Sequence, residues 1–205
     1  MLSLAPLPLI AILRGVRPEE AEEIAAILVE VGFAAIEVPL NSPEPLRSIE
    51  AIAKRWGGAT LVGAGTVLAP EEVDGVAGAG GKLVVSPNLN LAVTERAAAL
   101  GLAIVPGVAT PTEAFAALRA GASALKLFPA EGLPPPIVKA WRSVLPRDVQ
   151  LLPVGGVTPA SVAPYRRAGA SGFGVGSALY KPGATAAEVE RVARAFAAAW
   201  KAAGA

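Results

Sequence analysis

Lys126 stands inside the apolar run Ala124-Leu125-Lys126-Leu127-Phe128, Glu37 inside Ile36-Glu37-Val38-Pro39, and Arg14 directly after Ile10-Ala11-Ile12-Leu13. Burying a charge is costly unless it is paired, so these three residues, expected on three strands, belong together in one pocket. The other lysines and glutamates fall on helices, at strand edges or in loops. An amine desolvated by apolar walls and repelled by a neighbouring guanidinium gives up its proton easily. The free amine of Lys126 can attack a ketone carbon and form an imine, and the protonated imine then draws in electrons, so the adjacent carbon–carbon bond can break without a metal. Glu37 would move the protons. The plainer alternative is a buried Lys–Glu or Arg–Glu bridge that only fills a layer of the core.

What the chain lacks narrows the chemistry further. It has no Cys and no His, which removes disulfides, thiolate nucleophiles, Ser-His-Asp triads, imidazole acid–base work and the usual zinc or iron sites. Its two Asp, Asp74 and Asp148, are expected in a helix and in a turn before a strand, so a metal would have to rely almost wholly on Glu oxygens and no metal site is expected. Net charge is +1 with both signs mixed, which asks for neither nucleic acid nor an anionic membrane. Pro6 to Leu13 is too short and too Pro-rich to span a bilayer, and no basic segment precedes it; a cytoplasmic protein is expected.

The elements that must position these groups alternate along all 205 residues. Apolar runs predict strands over Leu7–Arg14, Ala34–Leu40, Thr60–Val67, Lys82–Pro87, Ala103–Val108, Ala124–Phe128, Gln150–Val154 and Gly172–Gly176. Ala-rich, charge-decorated stretches predict helices over Pro18–Val31, Pro43–Arg55, Pro70–Ala77, Leu91–Leu100, Pro111–Ala120, Pro135–Leu145, Pro159–Ala168 and Ala186–Ala199. Gly32, Gly80, Gly101, Gly121 and Gly169 sit where helices end, Pro18, Pro43, Pro70, Pro111 and Pro159 where they begin, and Thr110 and Thr158 are ready N-caps. The recurring Gly positions mark a rough βα repeat, and with no linker or low-complexity tract residues 1–205 read as one domain of class α/β, a single (β/α)8 TIM barrel in preference to an open doubly wound sheet.

In such a barrel the site lies at the C-terminal ends of the strands, and the loops after strands seven and eight often bind phosphate. Here those loops are Pro153-Val154-Gly155-Gly156-Val157-Thr158 and Gly174-Val175-Gly176-Ser177. Each glycine pair alone is a weak signal; both in the expected places suggest a phosphate-bearing substrate. Gly63-Ala64-Gly65-Thr66 could approach a substrate carboxylate or simply pack closely.

The ordered pieces Ile10-Ala-Ile-Leu-Arg14-Gly, Ile36-Glu37-Val-Pro-Leu, Val62-Gly-Ala-Gly-Thr66-Val, Ser86-Pro87, Val105-Pro-Gly-Val, Leu125-Lys126-Leu-Phe128-Pro-Ala-Glu, Pro153-Val-Gly-Gly-Val and Val175-Gly-Ser177 give the chain a resemblance. It resembles the 2-keto-3-deoxy-6-phosphogluconate / 4-hydroxy-2-oxoglutarate aldolase family over about Leu7 to Tyr180. The resemblance implies that Lys126 is the Schiff-base lysine and Glu37 the general acid/base. It also implies that Arg14 and Thr66 hold the pyruvate carboxylate beside Gly65, that Pro87 and Phe128 wall the methyl group, and that Gly155, Gly156, Gly176 and Ser177 cradle a phosphate. The implied partner is a phosphorylated keto acid, the implied assembly a homotrimer, with no cofactor. Many members acting on the gluconate-derived substrate carry an Arg four residues beyond the catalytic Glu. Here that position is Asn41, and Val38-Pro39-Leu40-Asn41-Ser42-Pro43 looks more like the branch acting on the galactonate epimer, with Arg14 able to supply the missing charge. Two other classes stand beside this reading. A phosphosugar isomerase or epimerase would want His, Cys or Asp at strand ends, and a non-catalytic sugar-acid-phosphate sensor would have no use for a lysine buried beside a glutamate.

Overall fold

The computed structural model describes residues 2–204. The strands are β1 (Leu7–Ile12), β2 (Phe33–Pro39), β3 (Leu61–Gly65), β4 (Leu83–Val85), β5 (Ala103–Val105), β6 (Gly107–Val108), β7 (Leu125–Leu127), β8 (Leu151–Pro153) and β9 (Phe173–Val175). Between and after them come α1 (Pro18–Val31), α2 (Pro45–Trp56), α3 (Pro70–Gly78), α4 (Leu91–Ala99), α5 (Pro111–Arg119), α6 (Pro135–Arg142), α7 (Pro159–Arg167) and α8 (Ala186–Ala202). A 3-10 turn, Ala130–Gly132, follows β7. All strand pairs are parallel, in a curled arrangement of one six-stranded sheet, β5-β4-β3-β2-β1-β9, and one three-stranded sheet, β6-β7-β8.

Local chemistry explains most boundaries. Pro18, Pro70, Pro111 and Pro159 open their helices, where the missing N–H costs nothing, and Gly32 closes α1 at φ 98°. Thr110 accepts the Glu113 N–H at 3.3 Å while the Glu113 carboxylate reaches back to the Thr110 N–H at 2.9 Å.

Four expectations need correction. The run Ala103–Val108 is two strands, because Pro106 has no N–H to give to a ladder. α2 begins at Pro45 rather than Pro43, since Ser42 is buried in a turn with its Oγ taken by the Gly15 N–H at 2.9 Å. Thr158 makes no side-chain cap; its own N–H donates to Ser161 Oγ at 3.0 Å. β1 stops at Ile12, so Arg14 lies in the following turn and is exposed, not a buried strand charge.

Successive strand residues face opposite sides. Leu9, Ala11, Ile36, Val38, Leu125 and Leu127 join the large cluster packed under the helices. Ile10, Ala35, Val85, Ala124 and Leu152 form a second, smaller cluster on the inner face, which also takes in Leu2 and Leu4. Truncating one such buried leucine or isoleucine to Ala costs about 2–5 kcal/mol. Two residues further along each strand, toward its C-terminal end, stand Ile12, Glu37, Pro87, Lys126 and Val154. The aliphatic layer is therefore the floor beneath the charged residues.

Candidate active site

Glu37 on β2 and Lys126 on β7 thus share the layer above that floor, with 1% and 6% of their surfaces exposed. Each sits beside a glycine on a neighbouring strand, Glu37 in register with Gly63 and Lys126 with Gly107. Among the described residues every ion pair lies on the surface and none joins these two. Oε2 of Glu37 is buried without a hydrogen-bond partner. A structural bridge would have closed that gap, so the arrangement does not fit a layer-filling role.

Both groups are shifted from their ordinary values, the carboxyl upward and the amine downward. Burial pushes the Glu37 carboxyl up to about 7, against the smaller opposing pull of Lys126 and then Arg14. Burial also lowers Lys126; Glu37 opposes that shift and Arg14 adds to it. The Lys126 Nζ lies 4.5 Å from the centre of the Phe128 ring, at the apolar side of the pocket.

Arg14 reaches the site from the turn after β1. Its Nη1 donates to Asn41 Oδ1 and its Nη2 to Thr66 Oγ at 3.3 Å. Thr66 carries φ 57°, a conformation unfavourable for a β-branched residue, and it holds that hydroxyl at the end of β3. Asn41 is therefore the group that holds the guanidinium beside the pocket. Gly65, expected near a substrate carboxylate, lies with its Cα directly against the Glu37 carboxylate.

A cavity of about 700 Å³ brings Lys126, Arg14, Pro87 and Phe128 together with the two glycine loops. Glu37, Gly65 and Thr66 do not line it but border it through Lys126 and Arg14. Among the described residues the N–H groups of Gly155, Gly156, Gly176 and Ser177 donate to no backbone acceptor. Unpaired amides converging at strand ends can receive an anion. Thr158, from the expected glycine loop, also lines the cavity, and so does Lys181, which the sequence reading missed; nothing in its local sequence distinguishes that lysine from an ordinary exposed residue.

A curled parallel sheet carries an amine and a carboxyl, both buried near the C-terminal ends of its strands, which is where α/β enzymes hold their active sites. The chain matches the family described as "Aldolase: KDPG and KHG aldolase" over residues 2–195. It belongs to that family and is a lyase of the aldolase type. It is 52% identical over 195 residues to a probable 2-dehydro-3-deoxy-6-phosphogalactonate aldolase of Rhizobium meliloti (strain 1021), covering 95% of this chain and 92% of the relative. The solved structure described as "Native KDPGal structure" superposes with a TM-score of 0.97 at 46% identity, covering 100% of this chain and 99% of the other. A KDPG aldolase from Legionella pneumophila, solved with pyruvate captured as a covalent carbinolamine, gives a TM-score of 0.78 at 25% identity, covering 97% and 95% of the two chains.

Proposed function

We propose that the chain is a class I aldolase that reversibly cleaves a phosphorylated 2-keto-3-deoxy sugar acid, the galactonate epimer in preference to the gluconate, into pyruvate and glyceraldehyde 3-phosphate. The observation that carries the reading is the buried Lys126 amine, its proton affinity lowered, opening into the cavity beside Glu37. Neutral Nζ attacks the C2 ketone, and loss of water gives the iminium. The Glu37 carboxylate accepts the C4 hydroxyl proton, the C3–C4 bond breaks, and its electron pair moves into the iminium to give an enamine. Glyceraldehyde 3-phosphate leaves. Protonated Glu37 returns its proton to C3, and water releases pyruvate and the free amine.

Arg14, held by Asn41 and Thr66, binds the carboxylate with the Gly65 end of β3 close by; Pro87 and Phe128 enclose the methyl group. The open amides of Gly155, Gly156, Gly176 and Ser177 take the phosphate. The carbinolamine trapped in the Legionella relative supports the covalent step, and the galactonate relatives support the epimer. Cleavage of unphosphorylated 4-hydroxy-2-oxoglutarate to pyruvate and glyoxylate by the same steps belongs to this reading.

We also read the two sheets as a closed (β/α)8 barrel and the chain as one domain. β5 and β6 run on through Pro106, and a Val154–Gly174 bridge ties the three-stranded sheet to β9. A cytoplasmic homotrimer completes the proposal; the exposed Leu68, Leu91 and Phe115 on adjacent elements support an assembly, and no helix among the described residues is long and apolar enough to cross a membrane. The test is pyruvate release from the two epimeric phosphorylated substrates. Faster release from the galactonate form is expected; no pyruvate from either would overturn the reading.

A further inference from the structure

The glycine loops answer the oxygens of a phosphate but not its charge. A phosphate monoester carries roughly −1.5 to −2 at pH 7, whereas four backbone amides offer dipoles alone. Three cationic side chains line the cavity, Arg14, Lys126 and Lys181. Arg14 is engaged by Asn41 and Thr66, and Lys126 sits on the floor at β7. Lys181 enters no ion pair among the described residues, and it lies in the segment that continues directly from Gly176-Ser177.

Its backbone is pinned although its side chain is free. The N–H groups of Leu179 and Tyr180 both donate to the Gly176 carbonyl, at 2.7 and 3.0 Å. The buried Tyr180 donates its hydroxyl to Glu20 Oε1 at 2.9 Å, tying the segment to the first turn of α1. Pro182 packs against Gly15, where a Cβ would come within 2.7 Å of the proline Cγ. The Lys181 carbonyl accepts the Ala184 N–H at 2.9 Å. A lysine with a pinned backbone and no ion-pair partner, lining the same cavity as the unpaired amides, is placed to neutralise a dianion there.

We propose that Lys181 is a specificity-determining residue that makes this site favour phosphorylated over unphosphorylated keto acids. The inference rests on the aldolase reading above and adds to it the group that senses the phosphate charge. The experiment compares kcat/KM for the phosphorylated galactonate-derived substrate and for 4-hydroxy-2-oxoglutarate in the wild-type protein, Lys181→Gln and Lys181→Arg, at low and high potassium chloride. Lys181 is exposed, so both variants should fold normally. The ratio of the two kcat/KM values should fall about 10-fold in Lys181→Gln, mainly through KM, and stay within about 3-fold in Lys181→Arg. Salt should erode the wild-type ratio more than that of Lys181→Gln. A wild-type preference for the phosphorylated substrate that Lys181→Gln keeps within about 2-fold would overturn the role of Lys181 and leave the aldolase reading intact. No pyruvate from the wild-type protein with either substrate would overturn both.

Discussion

Gly65 lies with its Cα against the carboxylate of Glu37, so that a side chain at this position would overlap Oε2. Glu37 is aimed by this contact, since no hydrogen bond holds that oxygen. Gly65→Ala should therefore swing the carboxylate out of line and lower kcat by about 100-fold, the size of effect an ångström of misplacement can have. Steady-state kinetics, with circular dichroism to confirm the fold, would check it. Gly63→Ala is the contrast: a Cβ there would run into the Leu83 carbonyl, so that variant should lose stability by separating β3 from β4.

Asn41 should matter through Arg14. Asn41→Ala leaves the guanidinium with only the 3.3 Å bond to Thr66. KM for the keto acid should rise about 5- to 10-fold with a smaller change in kcat, as expected when one positioning hydrogen bond is lost. An unchanged KM would mean that Arg14 is held by other means.

The acid limb of the pH–rate profile should lie near 7. Glu37 is pushed up to about 7 and must be ionised to accept the hydroxyl proton, while Lys126, lowered, must be neutral to attack. Arg14 lowers both groups. Replacing it with Gln should therefore raise both and move the limb to higher pH. The kcat/KM profile of Arg14→Gln measures the shift, and a shift toward acid would contradict the electrostatic account. Glu37→Gln should lose about 100- to 10,000-fold in kcat.

The same perturbation makes Glu37 a cost to folding at alkaline pH. The native state holds its proton up to about 7, against an ordinary 4.5. Its stabilising contribution is thus full below 4.5 and lost as pH rises through about 7. Denaturant unfolding should show the stability of Glu37→Gln gaining on the wild type between pH 5 and 8, by up to about 3 kcal/mol. A difference that does not vary with pH would contradict the raised proton affinity.

The burial of Lys126 and Glu37 was legible in the sequence because a charge inside an apolar run has few places to go. The parallel α/β alternation was legible for a related reason: short apolar runs alternating with longer helical stretches, punctuated by Pro and Gly, leave few alternatives. What escaped depended on contacts between distant segments. Arg14 reads as a strand end, yet it sits in an exposed turn and is held by Asn41, 27 residues away. Nothing local announces φ 57° at Thr66, since a β-branched residue avoids it. Pro106 could have been taken as a break in its strand, because its missing N–H is a property of the residue itself.

The central claim is a covalent bond between Lys126 and a ketone. Incubating the protein with pyruvate, reducing with borohydride and mapping the peptides by mass spectrometry tests it most directly. A reduced pyruvyl adduct on Lys126, absent from Lys126→Ala, is the predicted result. An intact, folded protein with no adduct, or with the adduct on another lysine, would contradict it.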